Sequence, residues 1–217
     1  MSRIAFARQL TALHDAVVLL GEQVDTAVQQ AVQSFVHEDL ALARRVVAED
    51  AGVNRMEHQI LEDATTLLTL QAPVASDLRR ILGVSRAVGY LERIGDHARD
   101  IANTTLRVAG APPIKPADEL QTMIDAVHTM LADCRRAVET DNADLARTVA
   151  AADDQVDIAY GALFREMLSQ MVMDAITTPR ATHTLFVGHA LERIADYCAN
   201  VAETVIYVLT GQSEDLN

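Results

Sequence analysis

The chain reads as all-α, two tandem antiparallel three-helix bundles produced by internal duplication. Three observations predict this. Only 9 glycines and 5 prolines occur in 217 residues, and they sit at element ends. Apolar residues recur at alternating spacings of three and four, the seam of a bundle helix. Landmarks of the first half return in the same order in the second.

The first helix is expected over about Arg3 to Val36, with Leu10, Leu13, Val17, Leu20 and Val24 on its seam. It ends at "FVHED", where Glu38 and Asp39 are placed to cap the next helix. The second helix spans about Leu40 to Leu70, and Pro73 stops it. Ser76 then reads as an N-cap, with Asp77 in the favourable first turn of a third helix that reaches Val108. Its seam is Leu91, Ile94, Ala98, Ile101, Thr105 and Val108.

Gly110 and three of the five prolines fall in "AGAPPIKPAD", the strongest linker signal. The expected division is a first repeat over residues 1–109, a linker over 110–117 and a second repeat over 118–217. Helix four carries Leu120, Met123, Val127, Met130 and Cys134 on its seam; "ETDNAD" repeats the capping break; helix five runs from about Ala143 to Asp174. Thr178 and Pro179 have N-cap and N1 character for a sixth helix that extends to Gly211.

The duplication is explicit in three places. "LERIGDHARDIAN" (Leu91–Asn103) returns as "LERIADYCANVAE" (Leu191–Glu203), "LARRVVAED" (Leu42–Asp50) as "LARTVAAAD" (Leu145–Asp153), and "DAGVN" (Asp50–Asn54) as "DDQVD" (Asp153–Asp157). Each LERI copy sets a glutamate four residues before an aspartate, Glu92 with Asp96 and Glu192 with Asp196, so both carboxylates share one helix face. Like charges at that spacing cost roughly 0.2–0.5 kcal/mol per pair, and a plain surface helix would more naturally alternate sign. The stripes continue through Asp100 and Asn103, and through Asn200 and Glu203.

All of these side chains offer oxygen, the donor of hard cations such as Mg²⁺, Mn²⁺ or Fe³⁺. Taking Leu91 and Ala98 as a positions puts the stripe off the seam, pointing outward. Asp50/Asn54 and Asp153/Asp157 fall beside it on the neighbouring helices. A cation would therefore sit in an outer groove between helices two and three, and another between helices five and six. With Asn54 in the first groove and five acids counted in the second (Asp153, Asp157, Glu192, Asp196, Glu203), the second is expected to bind more tightly.

Composition narrows the function classes. A formal charge of −13 argues against nucleic acid as partner. Two cysteines without CxxC spacing suggest small buried hydrophobes rather than a disulfide or zinc framework. The charged N-terminal turns lack a leader's apolar stretch, and no window of about 18 uncharged apolar residues appears. The expectation is a cytoplasmic protein without direct membrane insertion. No nucleophile–base constellation or phosphate-cradling glycine loop points to an enzyme.

The duplicated ERI(G/A)D motif, the paired D-x-x-x-(D/N) stretches and "ASDLRRIL" (Ala75–Leu82) resemble the PhoU family of phosphate-signalling proteins over nearly the whole chain. The resemblance implies a negative regulator of the phosphate-starvation response that couples a Pst-type phosphate ABC transporter, through its ATPase, to a sensor histidine kinase. A second copy of the chain is a further candidate partner. It also implies surface metal sites for iron, manganese, magnesium or zinc, at Asp50, Glu92, Asp96, Asp153, Asp157, Glu192 and Asp196, and it places Asp77 and Arg147 at partner contacts. The competing readings are a metal-handling helical bundle and an acidic helical scaffold without metal.

Overall fold

The computed structural model describes residues 3–115, 117–214 and 216; Pro116 of the expected linker lies outside them. The helices are α1 (Arg3–Val36), α2 (Leu40–Gln71), α3 (Ala75–Val108), α4 (Asp118–Glu139), α5 (Ala143–Ala151), α6 (Asp153–Met173) and α7 (Thr178–Thr210), with a 3₁₀ turn at Ala175–Thr177. No strand occurs among the described residues.

Chain reversal uses the same chemistry in both halves. Glu38 and Asp141 adopt left-handed backbone (φ 54° and 50°). The next amide in each case reaches back five residues, Asp39 N to Ser34 O at 2.9 Å and Asn142 N to Ala137 O at 3.0 Å, closing a Schellman-type end. The following side chain caps the new helix. Asp39 accepts from the Ala41 and Leu42 amides, and Asn142 from those of Asp144 and Leu145.

Three expectations shift. Ser76 lies inside α3, whose N-cap is Val74 without a side-chain bond, so Ser76 caps nothing. Thr178 is already the first residue of α7, with Thr177 at the cap, which moves Pro179 one place inward. The expected fifth helix is broken at Ala152 into α5 and α6: the ladder tightens to i→i+3 bonds, Ala152 N to Val149 O at 3.1 Å and Gln155 N to Ala152 O at 3.2 Å. No glycine or proline marks that break, and α2 is continuous at the matching residues.

The predicted seam of α3 is buried throughout, with Ile94, Ala98 and Ile101 fully enclosed. Met123 and Met130, on the expected seam of the fourth helix, fill the core together with Met167, whereas Met173 is 84% exposed at the end of α6. Cys134 and Cys198 are buried and unpaired by any disulfide. By length and composition α1 is apolar enough to cross a membrane, yet Leu13, Val17, Leu20, Val24 and Val28 are buried in the core.

One continuous apolar cluster runs through both repeats. Its centre is the pairing of α3 with α7, which run antiparallel: Gly83 near the start of α3 lies against Val208 near the end of α7. Midway, His97 stacks on Tyr197 with ring centroids 5.9 Å apart. These two residues are counterparts under the duplication, so a local twofold passes between them. The symmetry extends to the rim. Arg80 of α3 bonds Asp141 at 3.0 Å, and its counterpart Arg180 of α7 bonds Glu38 at 2.8 Å. Each repeat thus pins the left-handed turn of the other.

Candidate functional site

Because α2 runs antiparallel to α3 and α6 to α7, the D-x-x-x-(D/N) turn of one helix meets the LERI turn of the next. In the first groove Asp50 and Asn54 of α2 come beside Glu92 and Asp96 of α3; the Glu92 and Asp96 side chains keep 19% and 20% of their exposure. The heptad phase is realised as a half-buried groove. Asp100 is further out, 60% exposed and 4.0 Å from His97 Nδ1.

A residue absent from the sequence expectation joins them. Glu57 lies close enough to Glu92 for its charge to be felt there. It sits seven residues after Asp50 and three after Asn54, the same helical face, and that spacing was the signal available. Its counterpart in the second repeat is Tyr160, which adjoins Glu192. With Glu57 included, the first groove holds four carboxylates, Asp50, Glu57, Glu92 and Asp96, against three that line the second, Asp157, Glu192 and Asp196. The difference between grooves is therefore not the Asn54/Asp157 exchange. It is Arg99, whose counterpart is Ala199.

Arg99 Nη1 lies 2.8 Å from both Asp50 Oδ2 and Asp96 Oδ1, joining α2 to α3. Its hydrogen bond to Asp50, with the surrounding carboxylates, pushes the guanidinium pKa upward. Asp50 keeps only 9% of its side-chain exposure. Its other oxygen, and Asn54 Oδ1, are buried without a hydrogen bond.

In the second groove Asp157, Glu192 and Asp196 crowd one another. Burial first, and then repulsion from Asp196 and Asp157, holds the Glu192 carboxyl above its ordinary range, while His189 and Arg193 oppose. Burial and Asp196 do the same to Asp157. Glu192 Oε2 makes no hydrogen bond, although His189 Nδ1 is 3.2 Å away. The His-x-x-Glu spacing of His189 and Glu192 thus brings a histidine to the site's edge. Arg193 pairs with Asp196 within α7 and stacks over Tyr197, 5.2 Å from its ring centroid. It does not reach α6 as Arg99 reaches α2.

Other expected members stand elsewhere. Asp153 is 3% exposed, buried rather than outward-facing, and its charge reaches the Cys198 thiol in the core. Asn200 donates to the Asp196 carbonyl at 2.8 Å within its own helix. Glu203 accepts from the Leu216 amide at 2.8 Å and so serves the C-terminal segment. Arg147 is held by Glu214 through two bonds of 3.0 and 2.8 Å, and by Asp144. Asp77 is half-buried in the first turn of α3.

The donors are oxygens throughout, suited to hard cations. As the side chains stand, no three His, Cys, Asp or Glu residues among those described converge as a metal-holding group. The second groove fits a cation if its carboxylates rotate inward, because binding would relieve their mutual repulsion. The first does not fit, since a guanidinium already bridges its two helices.

The α6–α7 spacing that aligns Asp157 with Asp196 depends on Gly188. A Cβ there would come within 2.6 Å of Leu163 Cδ2 and 3.2 Å of the Tyr160 ring. Gly188→Ala is expected to cost roughly 1–3 kcal/mol by overpacking, read as a lower denaturation midpoint in urea.

The PhoU domain family matches residues 17–105 and 120–205. A phosphate-specific transport system accessory protein PhoU homolog of Clostridium acetobutylicum is 34% identical across 100% of both chains. One of Rhizobium meliloti is 33% identical across 95% of this chain and 88% of its own. The crystal structure of the phosphate transport system regulatory protein PhoU from Streptococcus pneumoniae superposes with a TM-score of 0.90 at 30% identity, over 97% of this chain and 99% of that one. PhoU from Pseudomonas aeruginosa gives 0.90 at 32%, over 95% and 100%. Matched in both repeats and along nearly its whole length, the chain belongs to the PhoU family.

Proposed function

We propose that the chain is a non-catalytic regulator that restrains the phosphate-starvation response, coupling a Pst-type phosphate ABC transporter to a sensor histidine kinase from the cytoplasmic side. The observation that carries this reading is full-length similarity to relatives named as accessory proteins of phosphate-specific transport. The shape supports an adaptor. Each repeat ends in a hairpin tip with exposed large apolar residues, Leu70 and Val74 on one, Val172, Met173 and Ile176 on the other. Because α3 and α7 are antiparallel, these tips lie at opposite ends. Exposed apolar surface of this kind marks contact with partners, and two such ends suit a bridge between two proteins.

Within this role Asp157, Glu192 and Asp196 would hold a hard cation, whose charge would offset their mutual repulsion across α6 and α7. Asp77 and Arg147 are the further partner contacts in this reading. Arg147 must first release Glu214.

The test is retention of the kinase's cytoplasmic region and the transporter ATPase on the immobilised protein. Wild type should retain both, and Val172→Asp should weaken one at least tenfold while sparing the other. Retention of neither partner by wild type would end the adaptor reading.

A further inference from the structure

We propose that Arg99 is a built-in counter-cation that closes the first acidic groove to metal, leaving the groove with Ala199 as the one that binds a cation. The proposal rests on the reading of these grooves as cation sites, and the experiment below separates the two.

The geometry is that of substitution. A metal joining α2 to α3 would stand between Asp50 and Asp96, and one Arg99 nitrogen stands there, 2.8 Å from an oxygen of each. The acceptor, Asp50, is nine-tenths buried, so solvent does little to weaken the pair. A divalent ion entering the groove would meet a fixed positive charge within a few ångströms and would have to break both bonds. Two further oxygens of this groove lack a partner: Asp50 Oδ1 and Asn54 Oδ1 are buried and make no hydrogen bond. Removing Arg99 therefore uncovers a donor set instead of an empty surface.

The second groove cannot be closed in this way. Ala199 is 1% exposed and carries no charge. Arg193, the nearest cation on α7, is committed to Asp196 and Tyr197 on its own helix. The two grooves thus differ in whether the protein supplies the positive charge itself.

The probe is Mn²⁺, followed by calorimetry and by the electron paramagnetic resonance of the free ion. To silence the second groove, the measurements use the Glu192→Ala/Asp196→Ala background. With Arg99 present, no Mn²⁺ should bind; adding Arg99→Ala should restore one equivalent, which Glu92→Ala then removes. In chelator Arg99→Ala should melt lower by roughly 5 °C or more, because it leaves Asp50 buried and unpaired, and Mn²⁺ should recover most of that loss. Arg99→Gln, a milder change, must give the same restored equivalent if Arg99→Ala folds poorly.

An equivalent of Mn²⁺ in the background that still carries Arg99, lost on Glu92→Ala, would overturn the proposal and leave the cation reading intact. Absence of Mn²⁺ from every form, wild type included, would overturn both. Binding by wild type alone, with none gained on removing Arg99, would refute the counter-cation role while preserving the second site.

Discussion

Ile94→Ala and Ile194→Ala are each expected to cost about 2–5 kcal/mol and to lower one and the same thermal transition by roughly 10 °C. The two residues are counterparts in the duplicated motif and both are 0% exposed. Each follows directly on the glutamate–arginine pair that faces the groove, so the same helical turn carries a carboxylate outward and a branched side chain inward. Truncation loses the transfer free energy of three carbons and leaves a cavity that fully packed neighbours cannot collapse to fill. The shared transition follows from the packing. Ile94 and Ile194 belong to one apolar cluster, α3 lies along α7, and Arg80 and Arg180 tie each repeat to the other's turn. Calorimetry would decide. Two separable transitions, with only one shifted by each variant, would mean that the repeats fold as independent units.

Much of this was legible in the sequence, for identifiable reasons. Long helices with a sustained three-four seam declare themselves because burial of that seam, not local propensity, dominates their stability. The α3 seam from Leu91 to Val108 is buried as its spacing implied. Caps at Asp39 and Asn142 were visible because short polar side chains satisfy free helix-end amides. The break at Ala152 was not, since no local breaker marks it. The second repeat reads there like the first, which stays helical.

The grooves were half legible. Spacing put Glu92 with Asp96 and Glu192 with Asp196 on common faces, and helix reversal then brought the D-x-x-x-(D/N) turns beside them. Charge counting along single helices missed what depends on pairing across helices. Spacing alone makes Arg99 an i,i+3 partner of Asp96, and only the antiparallel register of α2 shows that the same nitrogen reaches Asp50. Glu57 was passed over because it lies outside the repeated motif, its counterpart being Tyr160. Glu203 sits on the stripe in sequence but turns to the C-terminal segment, which periodicity cannot foresee.

Glu192→Gln is expected to change sign with the buffer, stabilising the protein in chelator and destabilising it relative to wild type in Mn²⁺. In the folded state burial, then Asp196 and Asp157, hold the Glu192 pKa above its ordinary value of 4.5. An acid with a raised folded pKa keeps its proton more tightly folded than unfolded, so stability falls as pH rises through the window from that ordinary value up to the folded one. Above the window the full penalty of a charged Glu192 is present; below it none remains. At neutral pH in chelator, removing the charge should therefore raise the melting temperature by roughly 1–4 °C. The gap between variant and wild type should close as the pH is lowered through the same window. With Mn²⁺ at about a hundred times its dissociation constant, wild type gains about 2.7 kcal/mol. A tenfold loss of affinity in the variant withdraws about 1.4 kcal/mol of that, enough to reverse the order of melting temperatures. A solvated acidic face would give neither sign: its carboxylates would titrate near their ordinary values and bind no ion selectively. Melting curves at several pH values, with chelator and with Mn²⁺, therefore distinguish a groove strained by its own charge from a stripe that only faces water, and an unchanged order in both buffers would exclude the former.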